Sequence, residues 1–347
     1  MIISRTPYRV SFAGGGTDLP AFYREEPGAV LSVAIRKHVH VTVHQRFEPN
    51  TRVAYSRTET VEDFRHLEHE LVREAIRLTG VRDHLEVTTI GDVPAGTGMG
   101  SSSSLTAGLL TALYAYRGRV VSPAQIAREA CRIEIDVLGK PIGKQDQYAA
   151  AFGGLNLIHF QPDETVQVEP VVCRPATLRK LERRILMVYT GRTRSADNIL
   201  RTQSAATAIN RSLLRQMREL ALAMRDCLTG QADLEQFAAL LHEGWMLKRS
   251  QGCGISDSAI DNWYETARKA GAEGGKLLGA GGGGFLLLMA APQKHAAILQ
   301  ALGNPRTLDF AIEPQGSHCL FVDQFAAPAA VQRTIRPIHS YLQLAEV

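Results

Sequence analysis

Asp92-Val-Pro-Ala-Gly-Thr-Gly-Met-Gly-Ser-Ser-Ser-Ser-Leu105 is a glycine-rich loop that opens directly into an apolar, helix-forming run. Gly96, Gly98 and Gly100 let the backbone enter conformations closed to other residues and leave no side chain between main-chain N–H groups and a ligand. From about Ser102 onward, Leu105, Leu109, Leu110 and Leu113 recur at the spacing of one helix face. The serines therefore fall where four backbone N–H groups lack partners and the helix dipole is positive. An anion belongs at such an end. The plainer alternative is a glycine turn before a Ser-capped buried helix. It leaves three alternating glycines and four consecutive serines without a purpose.

The loop is not the common nucleotide-binding loop, because no Gly-x-x-x-x-Gly-Lys-Ser/Thr occurs in the chain. A Gly-x-Gly-x-x-Gly string does occur at Gly279, Gly281 and Gly284, but Phe285-Leu-Leu-Leu-Met-Ala290 after it reads as a strand, not the helix start a dinucleotide site requires.

At 347 residues, 45% hydrophobic and 21% charged, the chain has room for two domains. A net charge of +4 from scattered Lys and Arg, with 6% aromatics, gives little support to a nucleic-acid surface and suits small anionic ligands. The five cysteines (Cys131, Cys173, Cys227, Cys253, Cys319) are far apart and form no Cys-x-x-Cys. That argues against a disulfide framework or a zinc site and for a reducing cytoplasm. No run approaches the roughly 20 apolar residues a membrane span needs, so a soluble protein is expected.

The period-two signal predicts strands over 1–12, 30–35, 38–44, 85–90 and 155–160. Helices are predicted over 61–78, from Ser102 to near Arg117, from 123 to Leu138 behind the capping box Ser122-Pro-Ala-Gln125, and over 146–152. The polar stretch 161–184 is the candidate boundary, giving units 1–184 and 185–347. The second begins with the strand 185–189. Helical patterns at 198–228, 233–249 and 256–271 follow, then a glycine hairpin at 274–290 and strands near 307–323.

Several residues are candidates for chemistry. Glu134 falls on the small, apolar stripe of its helix with Ala127, Ala130, Cys131 and Leu138, where a carboxylate is costly unless paired with a metal or with Arg128 or Arg132. Asp146, twelve residues on across a Gly/Pro break, is either a helix cap or a second carboxylate folded back beside the first. Arg9 lies in a strand of apolar alternation. Asp18 follows three glycines and either caps a turn or accepts hydrogen bonds from vicinal hydroxyls. Five glycines in the six positions 279–284 favour contact with a ligand over a plain turn.

Three segments, 7–18, 94–104 and 276–284, resemble in order and spacing the three motifs of the galactokinase, homoserine kinase, mevalonate kinase and phosphomevalonate kinase superfamily. The second has the form Pro-x-x-x-Gly-x-Gly-Ser-Ser at Pro94, Gly98, Gly100, Ser101 and Ser102. Within the superfamily, Arg5-Thr-Pro-Tyr-Arg-Val-Ser-Phe-Ala-Gly-Gly-Gly-Thr-Asp-Leu-Pro20 and Gly143-Lys-Gln-Asp-Gln-Tyr148 are most similar to bacterial D-glycero-D-manno-heptose 7-phosphate kinases, with fucokinase domains as near relatives. Ala13-Gly-Gly-Gly-Thr-Asp18 replaces the Gly-Glu-His-Thr-Asp of galactokinases. The sugar-type Gly-Thr-Asp also sets the chain apart from diphosphomevalonate decarboxylases.

The resemblance implies a two-domain α+β fold, with a ribosomal protein S5 domain 2-like unit before a ferredoxin-like unit and ATP and sugar in the cleft between them. It implies that Pro94, Gly96, Gly98, Gly100 and Ser101, Ser102 and Ser103 bind ATP, and that Ser102 and Glu134 hold Mg²⁺. Asp146 would take the proton of the anomeric hydroxyl while Arg9 neutralises charge. Gly15, Gly16, Thr17, Asp18, Gly281 and Gly282 would contact the sugar phosphate, and Lys144, Arg192 or Arg194 would clamp its phosphate. A kinase of another sugar such as fucose, or a non-catalytic sugar and ATP sensor, would use the same fold. The sequence leaves a homodimer open.

Overall fold

The alternation that opens the chain becomes β1 (Ile2–Ala13), paired antiparallel along its length with the 18-residue β2 (Gly28–Gln45). The two strands expected at 30–35 and 38–44 are one. Its register shifts where Pro7 faces His38 and Tyr8 faces Ile35, so Arg36 and Lys37 bulge out opposite a residue with no N–H to donate. The computed structural model describes residues 1–323 except 83, 194–196, 231–232 and 253.

Between β1 and β2 lies the short α1 (Pro20–Tyr23); β3 (Thr51–Ala54) and β4 (Thr58–Val61) follow. The helix expected over 61–78 begins later, as α2 (Glu70–Thr79). Asp63 accepts the N–H of Arg65 and caps a separate 3₁₀ turn at Phe64–His66, and Leu67 is extended behind it. Gly80, at φ 68°, closes α2 as its sequence position predicts. Next come β5 (Leu85–Gly91), α3 (Ser101–Tyr116), α4 (Pro123–Cys131), α5 (Gln145–Phe152), β6 (Leu155–Phe160), β7 (Val166–Pro170) and α6 (Pro175–Arg184). The 161–184 stretch is thus structured: β7 pairs with β6 in the first sheet. That sheet has eight strands, with β12-β1-β2-β5-β3-β4 in sequence across it and β6 and β7 branching from β2.

The chain then enters a second sheet at β8 (Ile185–Tyr189), followed by α7 (Asp197–Ala205), α8 (Arg211–Thr229), α9 (Leu234–Ser250) and α10 (Ser258–Lys269). The helical pattern at 198–228 is therefore two helices. The cap of α10 is Asp257, whose carboxylate accepts the N–H groups of Ala259 and Ile260. The hairpin β9 (Gly274–Leu277) and β10 (Phe285–Met289), α11 (His295–Ala301) and β11 (Thr307–Leu308) complete it. The strand order β11-β8-β10-β9, all antiparallel with helices on the crossovers, is the ferredoxin-like arrangement. The last described strand, β12 (His318–Val322), returns to the first sheet and pairs Val322 with Ile2.

α3 lies across β1 and β2, and the loop before it packs against the hairpin of the second sheet at Leu278 and Gly279. Ser4 donates its hydroxyl to the carbonyl of Gly108, and Ser104 donates to that of Pro7, both at 2.8 Å. A Cβ on Gly108 would stand 2.8 Å from the Thr6 hydroxyl and 3.3 Å from a Val41 methyl. The helix is seated on the sheet through a position that only glycine fills.

Gly108→Val should accordingly lower the unfolding free energy by about 1–3 kcal/mol, the usual cost of overpacking. Thermal unfolding checks it. An unchanged or raised midpoint would mean that α3 has room the close contact denies.

Candidate active site

The glycines of the 96–100 loop do what the sequence requires. Gly96, Gly98 and Gly100 have φ of 76°, 82° and 71°, and Gly100 caps α3 in the left-handed conformation. The loop interlocks with the glycine hairpin: a Cβ on Gly98 would meet the carbonyl of Leu278 at 2.5 Å. A cavity of about 360 Å³ opens in front of α3. Its walls carry Gly96, Gly98, Gly100 and Ser101–Ser103 together with Arg9, Asp18, Glu134 and Asp146.

Arg9 organises the floor. Its Nε and Nη2 donate to the two oxygens of Asp146, each at 2.7 Å, and its Nη1 donates to the Gly98 carbonyl at 2.7 Å. This is the forked pairing that fixes a carboxylate in both position and plane. Asp146 sits in the first turn of α5, and its side chain keeps 22% of its surface open, toward the cavity it lines.

Glu134 is fully buried. The helix expected to run regularly to Leu138 changes to π over Arg132–Val137, where Leu138 donates to the carbonyl of Ile133 five residues back. The extra residue rotates the turn, a device that recurs at functional sites. The carboxylate accepts the Ser102 hydroxyl and the Gln147 amide, the latter at 2.8 Å. Burial nonetheless pushes its pKa up to about 7, against the lowering effect of the Ser102, Ser103 and Gln147 hydrogen bonds. One carboxylate beside one hydroxyl at a helix start fits Mg²⁺, which takes few protein ligands and fills its shell with phosphate oxygens and water. No cluster of three or more His, Cys, Asp or Glu side chains capable of holding a metal occurs among the described residues.

Asp18 is buried, accepts the backbone N–H groups of Gly16 at 2.9 Å and Gln145 at 3.3 Å, and has its pKa raised by that burial. Gly15 and Gly16 line the cavity beside it.

Other expected residues face elsewhere. Thr17 is buried with its hydroxyl spent on Gly14 and Ala29, so it shapes the turn. Pro94 is not on the wall; its carbonyl accepts the Thr97 hydroxyl at the start of the loop. Gly281 and Gly282 are pressed against Ile255, whose carbonyl accepts the Gly282 N–H, and the hairpin presents Gly279 and Ala280 to the cavity instead. Lys144 pairs with Glu164 and lies over the Tyr23 ring at 4.6 Å; Arg192 pairs with Asp257. Neither lines the cavity. Arg194 lies outside the described residues.

Two buried lysines on the wall escaped the sequence reading. Lys276 donates to the carbonyls of Ser11 at 2.8 Å and Phe12 at 3.0 Å and bridges the two sheets, and burial drives its pKa well below the ordinary value. Lys248 donates to the Gly279 carbonyl. Its signal was present: Phe237, Leu241, Trp245 and Lys248 form one helical stripe, and a lysine continuing an apolar stripe is out of place.

Comparison with known proteins decides the family. The GHMP kinase N-terminal domain model matches residues 66–154 and the GHMP kinase C-terminal model residues 212–304. The chain belongs to the GHMP kinases. This kinase is 29% identical over 334 residues to the D-glycero-alpha-D-manno-heptose 7-phosphate kinase of Campylobacter jejuni, covering 91% of this chain and 97% of that protein. It is 27% identical over 321 residues to the bifunctional fucokinase/GDP-fucose pyrophosphorylase of Arabidopsis thaliana, covering 85% of this chain and 30% of that protein. The crystal structure of a D-glycero-D-manno-heptose 1-phosphate kinase from Bacteroides thetaiotaomicron superposes with a TM-score of 0.78 at 26% identity, covering 93% of this chain and all of that one. The kinase is thus a phosphotransferase of two-domain, mixed α and β architecture, and no helix among its described residues is long and apolar enough to cross a membrane.

Because Glu134 keeps its proton to about pH 7 when folded and loses it at ordinary glutamate values when unfolded, the folded kinase binds the extra proton between those limits. This group's contribution to stability is full at acid pH and declines as pH rises toward 7. In metal-free protein, Glu134→Gln should therefore lose less thermal stability than wild type between pH 5 and pH 8. Parallel pH profiles of the two midpoints would overturn the raised pKa.

Proposed function

We propose that this kinase transfers the γ-phosphoryl group of ATP to the anomeric hydroxyl of D-glycero-D-manno-heptose 7-phosphate, giving the 1,7-bisphosphate and ADP. The observation that carries the chemistry is the Arg9–Asp146 pair, held in the same cavity as the N-terminus of α3 and the buried carboxylate of Asp18. Support for the acceptor comes from the Campylobacter jejuni relative, whose name gives heptose 7-phosphate as the sugar it phosphorylates.

The N–H groups at the start of α3 and the Ser101–Ser103 hydroxyls receive the nucleotide's phosphates. Asp18 accepts hydrogen bonds from sugar hydroxyls and orients the ring. Asp146 takes the proton as the anomeric oxygen bonds to the γ-phosphorus and the bond from that phosphorus to the ADP oxygen breaks. Arg9 holds Asp146 in place and lies beside the developing phosphoryl charge. Ser102 and Glu134 would hold Mg²⁺, which supplies charge neutralisation on the phosphates when bound. ATP is the donor used by this family, and a cytoplasmic setting supplies it.

One observation favours a second reading. Lys144 and Arg192, the cations expected to clamp a sugar phosphate, are engaged outside the cavity, which suits an unphosphorylated acceptor such as fucose. A screen of sugars and sugar phosphates with ATP, followed by ADP release, separates the two. Turnover of fucose above heptose 7-phosphate would replace the first reading with the second.

Asp146→Asn removes the proton acceptor and little nucleotide contact, so kcat should fall by about 10²-fold or more with the affinity for an ATP analogue nearly unchanged. Turnover within about threefold of wild type, well inside the range expected for a general base, would remove Asp146 from that role.

For Glu134→Gln, the Mg²⁺ concentration giving half-maximal rate should rise by about 10-fold or more, since an amide is a poor ligand for a hard cation. In wild type the same titration should shift to higher Mg²⁺ below about pH 7, where protons compete for the carboxylate. A pH-independent titration would argue against Glu134 as the ligand.

A further inference from the structure

Among the described residues, four cations line the cavity: Arg9, Lys140, Lys248 and Lys276. Arg9 is committed to Asp146 and Lys140 to Glu70. Lys276 spends two of its three N–H donors on the Ser11 and Phe12 carbonyls. Lys248 has one acceptor among the described residues, the Gly279 carbonyl, and no carboxylate partner. An ammonium carries three donors, and a buried one without a counter-charge is expensive. Its side chain rises from the inner face of α9 into a wall that also holds Ser11. Ser11 is 8% exposed, and its hydroxyl is buried with no hydrogen-bond partner.

We propose that the Lys248 ammonium and the Ser11 hydroxyl form a subsite for phosphate oxygens, and that the phosphate is the one the acceptor sugar carries. The identity of the acceptor rests on the heptose 7-phosphate reading above. The charged groups that face Lys248 are Arg9 from β1, Asp18 from the loop after it and Lys276 from β9. The nucleotide's phosphates already have the N-terminus of α3. Asp18 is the residue that orients the sugar, so the unspent cation lies on the acceptor's side. Burial and Arg9 lower the Lys248 pKa to about 8, against the opposing effect of Asp18. An arriving dianion would restore the charged form, so binding at pH 8 should draw in a proton. This subsite takes the place of the clamp expected at Lys144, Arg192 or Arg194.

Calorimetric titration of full-length wild type, Lys248→Met, Lys248→Arg and Ser11→Ala tests it with four probes: heptose 7-phosphate, free heptose, a non-hydrolysable ATP analogue and inorganic orthophosphate. Lys248→Met should weaken heptose 7-phosphate and orthophosphate by about 10-fold or more while free heptose stays within about threefold. Lys248→Arg should restore most of the loss, Ser11→Ala should lose a smaller part, and proton uptake near pH 8 should disappear with Lys248→Met. Because the lysine is buried without a counter-charge, Lys248→Met should also unfold at an equal or higher temperature; a lower one, with every probe weakened alike, would make Lys248 structural and overturn the proposal. Orthophosphate bound equally by wild type and Lys248→Met overturns it whatever the sugar. Loss confined to the ATP analogue assigns the subsite to the nucleotide and overturns the acceptor half. Wild type binding heptose 7-phosphate no better than free heptose overturns the heptose phosphate reading, while loss of orthophosphate on Lys248→Met still upholds the subsite.

Discussion

The Arg9 guanidinium is the constraint on which the site depends. It is almost wholly buried on β1, and three of its nitrogens are bound, two to Asp146 on α5 and one to the Gly98 carbonyl in the loop before α3. Removing a charge of that kind from water is repaid only when its donors are matched closely, and breaking one partner leaves the other stranded. The position of the glycine loop, of the Asp146 carboxylate and of the strand that joins them is thus one fact. The Arg9 N–H also donates to the Met99 carbonyl at 3.2 Å, so main chain and side chain hold the loop together.

The glycines carry two different burdens. Those at 96 and 100 are needed for their left-handed backbone, while Gly98 joins a left-handed φ of 82° to the Leu278 carbonyl standing where a Cβ would be. The glycines at 279, 281 and 284 are needed chiefly because another backbone lies where a Cβ would stand: Gly98 in the first case, Ile255 in the second, Thr97 in the third. The hairpin from the ferredoxin-like unit is a wedge behind the 96–100 loop, and it brings Lys276, Gly279 and Ala280 to the cavity.

That distinction shows where sequence reasoning succeeds and where it stops. The strand-like start, the helix after the serines, the Ser122 cap and the hairpin around 274–290 are local patterns, and the structure keeps them, although the Gln125 amide donates to Glu129 and does not close the capping box. Arg9, Asp18, Glu134 and Asp146 were picked out by residue type in unusual surroundings or by motif, and the cavity brings them together. What was not legible depends on partners distant in the chain. Whether Lys144 faces ligand or Glu164 is decided by a residue twenty positions away, and whether Gly281 touches sugar is decided by Ile255. The π turn around Glu134 replaces a regular helix without any proline or glycine inside it to announce the change. Lys248 was legible in principle, as the one charge on the stripe Phe237, Leu241, Trp245, but a helical pattern read only for its period passes over it.

The return of β12 to pair with β1 has a consequence for synthesis. β1 is made before every other described strand, yet among the described residues its outer edge is covered by residues 318–322, the last strand described. Until those residues emerge, the N-terminal sheet carries an open row of unpaired N–H and C=O groups, the kind of edge that recruits strands from other molecules. Nascent chains stalled in the ferredoxin-like region would possess nearly the entire cavity and still lack the strand that covers this edge of its sheet. A truncation that spares every residue around Arg9 can therefore leave the protein prone to aggregate.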